Sequence, residues 1–568
     1  MPARELSRAP QRLRRPAAIF HLRARRVIQR AVSKRGVAVG AALGFSWARA
    51  PQGGRPRDEG RRARSARSRS ARSSECLARE ERTMAEFELV VRGGTVATAA
   101  DVVRADIGIK DGRIVAIGAA LARGHREIDA EGKLVLPGGI DSHCHIEQKS
   151  SLGVMTADDF FTGTRSAACG GTTTIIPFAA QHRGMSIRQV VKDYHAAAEP
   201  KAAVDYAFHL IISDPSAEVL GQELPALIRD GYTSFKIYMT YEALKLDDRQ
   251  ALEVLSLARR EGALVMVHAE NHDIIAWLSE KLLAAGHTAP KFHAIAHVKT
   301  AEREATHRAI SMAELVDVPI LIVHVSAAEA IEQIRSAQGR GLKIYGETCP
   351  QYLFLTEDDL DRPGFEGAKY MCSPPPRDKA NQEEVWRGIT TGVFQVFSSD
   401  HAAYRYAGPE GKMKYGRNAP FKKVANGVPG LEVRLPLLFS EGVGKGRIEL
   451  TRFVALAATN AAKLYGLYPQ KGTIAVGSDA DLAIWDPDRE VTISQAMLHD
   501  AMDYTPYEGF KVKGWPVVTL VRGEPVAEGG EFVGTRGKGR FLKCDISPAA
   551  RPLGRPVTRF DPASGTFR

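Results

Sequence analysis

From about residue 138 to residue 465 the chain alternates short apolar runs with amphipathic stretches, and this alternation narrows the choice of fold more than any other feature. The runs GGID (138–141), TTTIIPF (172–178), VDYAFHLII (204–212), TSFKIYM (233–239), ALVMVHA (263–269), PILIVHV (319–325), LKIYGE (342–347) and FQVFSS (394–399) read as strands. Between them, stretches such as DDRQALEVLSLARREG (247–262) and AEREATHRAISMAELV (301–316) carry apolar residues at helical spacing. Eight strands alternating with helices predict an α/β chain with a (β/α)8 TIM-like barrel; a doubly wound sheet is the alternative.

The flanks read as β structure. FELVV, GGTV, DIGIK, DGRIVAIG and KLVLPGG follow one another between Phe87 and Gly139, with Asp111-Gly112 as a hairpin signal. The pattern returns in GTIAVGSDADLAIWDP (472–487) and VKGWPVVTLVRGEPV (512–526).

A net charge of +12 over 568 residues suggests a nucleic-acid or anionic-membrane binder, but its location argues otherwise. Residues 1–83 carry net +16, and the remaining chain carries −4. Within that basic segment RRARSARSRSARSS (61–74) has almost no apolar content and is expected to be disordered. A transit peptide, an export signal using paired arginines, an anion-binding tail and upstream sequence translated from a mis-assigned start all compete for residues 1–83. The last is preferred, because Met84 opens MAEFELVVRGGTV at once and the codons of Glu80-Glu81 can form a ribosome-binding site. No nucleic-acid or membrane partner is expected. The apolar run Gly36–Phe45 is about half the roughly 20 residues that span a bilayer. Six scattered cysteines without a CxxC pair fit a reducing compartment.

On a barrel, ionisable residues at the C-terminal tips of strands read as catalytic. His143 and His145 follow the first strand, Lys236 lies in the fourth, His268 ends the fifth, His324 ends the sixth and Asp400 follows the eighth. One histidine beside an apolar strand is more simply a hydrogen-bonded core residue; six groups at the same end of their strands point to a metal site. His143 and His145 are two apart, so a regular strand aims both at one face, where they could grip one ion. A surface-snorkelling role for Lys236 has to contend with its place inside TSFKIYM. Buried beside cations its ammonium is repelled and costly to desolvate, so it must lose its charge. If the neutral amine takes up carbon dioxide, the carbamate (N6-carboxylysine) can bridge two divalent ions. His268 and His324 would then serve the second ion and Asp400 the first.

PGGIDSHCHIE, SFKIYMTY, VHAEN, VHVS, SPPPR, SSDH and NGVPG occur in this order, and together they resemble the dihydropyrimidinases and D-hydantoinases, cyclic amidases of the amidohydrolase superfamily. The resemblance covers roughly residues 86–540. It implies a small β-sandwich built from both chain ends, residues 84–137 and 469–540, around a catalytic barrel at 138–468, with a C-terminal tail at 541–568. It also implies a binuclear centre, usually zinc, on His143, His145, carbamylated Lys236, His268, His324 and Asp400. By the same resemblance Tyr241 donates to the oxyanion, and Ser373 and Asn426 hold the amide and imide edge of the ring. Read alone, Ser373 before three prolines and Asn426-Gly427 are turn signals. Cys144, where the family often has Thr, should face away from the metals and pack. EQKSSLGVMTADDF and the segment with His182 fall where the family places substrate-gating loops, and His182 is a further candidate contact.

The implied reaction is ring opening of 5,6-dihydropyrimidines, 5-substituted hydantoins or both to N-carbamoyl amino acids. A metal-bridged hydroxide attacks, and Asp400 moves the proton from water to the leaving nitrogen. No organic cofactor is implied. The expected assembly is a homotetramer, by resemblance, and the net charge of −4 from Met84 onward fits a cytoplasmic hydrolase. Rivals are allantoinase, dihydroorotase and a non-catalytic scaffold related to the family. Glu147, where dihydroorotases usually carry Arg, argues against the second, and the complete ligand set argues against the third.

Overall fold

A computed structural model describes residues 86–562 and 564–567; the expectations for residues 1–83 lie outside the described residues. The N-terminal flank folds as β1 (Phe87–Ala97), β2 (Val102–Lys110), β3 (Arg113–Gly118), β4 (Gly124–Asp129) and β5 (Leu134–Pro137). Asp111 and Gly112 both adopt positive φ, 52° and 71°, and join β2 to β3 in a two-residue turn whose twist suits a hairpin.

The central region supplies β6 (Gly139–His145), β7 (Thr172–Ala180), β8 (Asp205–Tyr206), β9 (His209–Ile211), β10 (Ser234–Tyr238), β11 (Leu264–His268), β12 (Ile320–Ile322), β13 (Ile344–Thr348), β14 (Val396–Phe397) and β15 (His401–Ala402). Neighbouring strands pair in parallel. β8 and β9 both pair with β7 and are two pieces of the third strand. β14 pairs with β13 and β15 with β6, so the two halves of a broken eighth strand close the barrel. Helices such as Asp248–Glu261 and Lys299–Val316 cover the outside. The first starts on a capping box from Asp247 and Gln250, and ends on Gly262 in the left-handed region (φ 81°).

The strands are apolar throughout because both faces are buried. Phe235, Ile237, Val265, Val267, Ile320 and Ile322 pack outward under the helices. Leu264, Met266, Leu321, Phe178 and Ile176 fill the interior. Lys236, between Phe235 and Ile237, therefore points inward. Two strands stop short of their apolar runs, β12 at Ile322 and β14 at Phe397, and left-handed backbone follows them at His324 (φ 40°) and Asp400 (φ 47°).

The C-terminal flank adds β16 (Leu482–Thr492), β17 (Lys511–Val521), β18 (Glu524–Glu528) and β19 (Glu531–Phe532). β16 pairs with β5, so both flanks join in one nine-stranded sheet. Bulges within β1–β2, β2–β3 and β16–β17 let this sheet fold around its own core of Leu89, Ile107, Ile114, Leu482 and Leu520, the small β-sandwich.

Residues 541–561 run under the N-terminal ends of the barrel strands. Leu542 and Cys544 donate backbone hydrogen bonds to Tyr206 and Gly231, and with Tyr465 and Leu467 they join the interior core from below. The Asp317 carboxylate accepts three consecutive backbone N–H groups, from Leu553, Gly554 and Arg555. Sandwich and barrel meet at Lys471, whose buried ammonium lies 2.6 Å from Asp205, 2.7 Å from Asp481 and 3.1 Å from Asp479. Arg522 also pairs with Asp205. Removing one cation from such a cluster leaves buried carboxylates uncompensated. Lys471→Met should therefore destabilise the protein by about 3–5 kcal/mol, read from urea or thermal unfolding.

Candidate active site

The C-terminal tips of the strands bring His143, His145, Lys236, His268, His324 and Asp400 together. Cys144 packs in the outer core, so its neighbours His143 and His145 project into the barrel, His143 edge-on to Phe178 at a ring separation of 4.8 Å and His145 stacked on it at 5.0 Å. His143 Nδ1 donates to Glu347 Oε1 at 2.6 Å, and His145 Nδ1 donates to Gln148 Oε1 at 2.7 Å. Those bonds fix the tautomers and leave both Nε2 atoms as acceptors. Asp400 Oδ1 faces the same two atoms at 3.1 and 3.4 Å. Lys236, fully buried, donates to His143 Nε2 at 2.9 Å, with its Nζ 4.6 Å from the Phe178 ring centre. The rings of His324 and His268 lie 4.4 Å apart, and His143 and His324 are separated by 5.3 Å. His268 Nε2 donates to Glu270 at 2.8 Å, and Glu270 also receives a hydrogen bond from His297, at 2.8 Å.

Two imidazole nitrogens and a carboxylate oxygen that converge on one volume form an arrangement that a cation satisfies. His143, His324 and Asp400 each offer a ligand atom within 4.8 Å of the others. His324 Nδ1 is buried with no hydrogen-bond partner. The donor set thus fits a divalent ion. Electrostatics agree. Burial pushes His145, His268 and His324 down, so their imidazoles are neutral and their lone pairs free. Burial and Lys236 oppose charge on His143, but Glu347 and Asp400 outweigh them and raise its pKa. Burial alone would raise Asp400, yet the adjoining His143, His145 and His324 hold it well below the usual carboxylate range. Burial brings the Lys236 amine down to about 8, against the pull of Asp400 and Glu347.

Tyr241 (φ 66°) follows β10, and its ring lies 5.3 Å from His268. Burial, and after it the charge of Glu270, drive its hydroxyl pKa up, against a hydrogen bond with Ser373 that lowers it. Ser373 precedes a cis proline and lies 3.2 Å from His293 Nε2, which also donates to the Cys372 carbonyl at 2.9 Å. Asn426 Oδ1 is buried without a partner. His182 is exposed in the loop after β7. Glu147 pairs with Lys201 at 2.6 Å and accepts from the Phe160 N–H at the start of a helix. Sequence reasoning passed over Glu347, Glu270 and Gln148, although Glu347 ends the run LKIYGE and Glu270 stands two residues after His268.

Among the described residues no helix is long and apolar enough to cross a membrane. The model of the Amidohydrolase family matches residues 134–526, and that of the urease alpha-subunit N-terminal domain matches 57–130. A D-hydantoinase of Ralstonia pickettii is 47% identical over 458 residues, covering 80% of this chain and 99% of the relative. The crystal structure of dihydropyrimidinase from Brevibacillus agri superposes with a TM-score of 0.79 at 44% identity, covering 82% of this chain and 99% of the other. An L-hydantoinase (dihydropyrimidinase) from Arthrobacter aurescens superposes with a TM-score of 0.74 at 32% identity, covering 80% of this chain and 100% of the other. With a family model spanning most of the barrel and sandwich and relatives matched over nearly their whole length, the chain belongs to the amidohydrolase family.

Proposed function

We propose that the chain is a metal-dependent cyclic amidase that opens 5,6-dihydropyrimidines, 5-substituted hydantoins or both to N-carbamoyl amino acids. The observation that carries this reading is the convergence of His143 Nε2, His145 Nε2 and Asp400 Oδ1 beside a buried lysine. The substrate class comes from the relatives, which are named for hydantoins and dihydropyrimidines; none of them favours allantoin.

In this reading His143, His145, His268, His324, Asp400 and a carbamylated Lys236 hold two divalent ions. Zinc suits these imidazole and carboxylate donors. When bound, the ions supply Lewis acidity at the ring carbonyl and a water acidified toward neutral pH. An amine brought down to about 8 has an accessible neutral form. Lys236 adds through that form to carbon dioxide, making an N–C bond and releasing a proton. Asp400, held ionised, accepts the proton of the attacking water and returns it to the ring nitrogen as the C–N bond breaks. Tyr241, kept protonated by burial, donates its hydroxyl to the developing oxyanion. Ser373 and Asn426 hold the ring edge. The partnerless Asn426 Oδ1 supports this, because a ring N–H would supply its missing donor. The accompanying homotetramer is supported by the family resemblance, and a cytoplasmic location by the net charge of −4 from Met84 onward.

Dihydrouracil, hydantoin, a 5-arylhydantoin and allantoin assayed side by side test the reading. Opening of one or more of the first three is expected, while turnover of allantoin alone would make the chain an allantoinase. No ring opening, with far less than one metal ion per chain, would sink the enzyme reading altogether. Lys236→Ala should lose about 10²–10³-fold in kcat, with partial recovery on adding short carboxylic acids; full activity in that variant contradicts the carbamate. Glu347→Gln weakens the orientation of His143 and should cost about 10- to 100-fold in metal affinity, measured by titrating metal-stripped protein with zinc.

A further inference from the structure

The loop from Arg405 to Gly416 follows the broken eighth strand and supplies none of the groups assigned above. Lys412 within it is fully buried. Its Nζ donates to the Met371 carbonyl at 3.2 Å and the Ala425 carbonyl at 2.9 Å. Met371 lies two residues before Ser373, and Ala425 immediately precedes Asn426. The same Met371 carbonyl accepts the Gly427 N–H at 2.9 Å, so the two segments are joined by backbone as well. Gly427 has φ 147°, and a Cβ there would lie 2.4 Å from the Ala402 carbonyl oxygen, which presses this segment against β15. Lys412 holds its other side.

Stability alone gives little reason for a lysine here. Among the described residues no carboxylate offsets its burial, which brings the amine down to about 7. A methionine of similar length would fill the space without desolvating an amine. What the amine provides is donors, present in its neutral and charged forms alike, aimed at two carbonyls on two different loops.

We propose that Lys412 is a positioning residue, a staple between the Met371–Ser373 and Ala425–Gly427 segments that sets the spacing of the two edges gripping the ring. It touches no reacting atom. The inference rests on the assignment of Ser373 and Asn426 to substrate binding. A staple of this kind pre-orders the binding edges, so its loss lowers affinity for the ring in ground state and transition state alike.

Initial-rate kinetics on the metal-loaded protein test this, with dihydrouracil and hydantoin as substrates and with metal content and melting temperature recorded alongside. Lys412→Met should raise KM about tenfold or more while kcat changes less than about threefold and metal content stays as in the parent. Lys412→Gln, which keeps N–H donors on a shorter arm, should fall between the two, and it carries the comparison if the Met variant does not fold. Unchanged KM in whichever variants fold overturns the inference, as does loss of stability in both without a rise in KM. The parent protein separates the two levels of the argument. If it opens neither ring, the cyclic-amidase reading falls and this inference with it; if it does and KM is indifferent to position 412, only the staple falls.

Discussion

The inward projection of Lys236 from a parallel strand is the constraint on which the rest of the site depends. Alternation along β10 leaves no choice of direction, since Phe235 and Ile237 are committed to the outer core. The interior must then accommodate an amine far from water. Bringing it from 10.5 to about 8 corresponds to roughly 3 kcal/mol of disfavoured charge. A group this poorly solvated is either a liability or a reagent. The neighbouring groups decide which: Asp400 and Glu347 soften the penalty, and Phe178 and Tyr238 offer ring faces at 4.6 and 5.1 Å. Neighbouring histidines have their directions fixed by hydrogen bonds, His143 by Glu347 and His145 by Gln148.

Backbone strain marks the same place. Tyr241, His324, Asp400 and Glu147 all carry φ between 40° and 66°, a region that residues with side chains seldom occupy. At His324 and Asp400 the backbone leaves the pleat just beyond the ends of β12 and β14. Parity along β10 and β11 sends Lys236 and His268 inward, while a register shift between Asp141 and Cys144 in β6 sets His143 and His145 to the same side. Two further ligand candidates arriving from the sixth and eighth strands need this departure from the pleat to reach the same volume.

Much of this was legible in the chain because parallel barrel strands are apolar on both faces, so a charged or imidazole residue at a strand tip stands out. That is how Lys236, His268 and His324 could be picked out from TSFKIYM, ALVMVHA and PILIVHV. The ends of the last of these runs could not be placed, since apolar content continues to Val325 while pairing stops at Ile322. Glu347 and Glu270 were within reach of the same tip argument, but a carboxylate that serves a histidine looks in sequence like any strand-end acid. Lys412 was out of reach. In GKMKYGR it reads as one charge among several in a solvated loop, and only the fold reveals that it is buried while Lys414, two residues on, is exposed and donates to the Leu152 carbonyl at 2.9 Å.

The two ends of the barrel divide the labour. Below, stability is concentrated in groups remote from the chemistry: Lys471 among three carboxylates, Asp317 holding the tail backbone at 553–555, and Tyr465 and Leu542 closing the interior. Above, the six convergent residues come from strands and their ends, whereas the groups that would meet the ring come from loops near 241, 373 and 426, the last two tied through Lys412 and the Gly427 N–H. Such an arrangement lets loop substitutions change what is bound without disturbing the centre that does the chemistry. It also makes the ties between loops the place where selectivity is set. A catalytic centre built on strands needs little beyond the fold to stay in register; a ring clamp built on loops needs staples, and a buried amine reaching two backbone carbonyls is a direct way to make one.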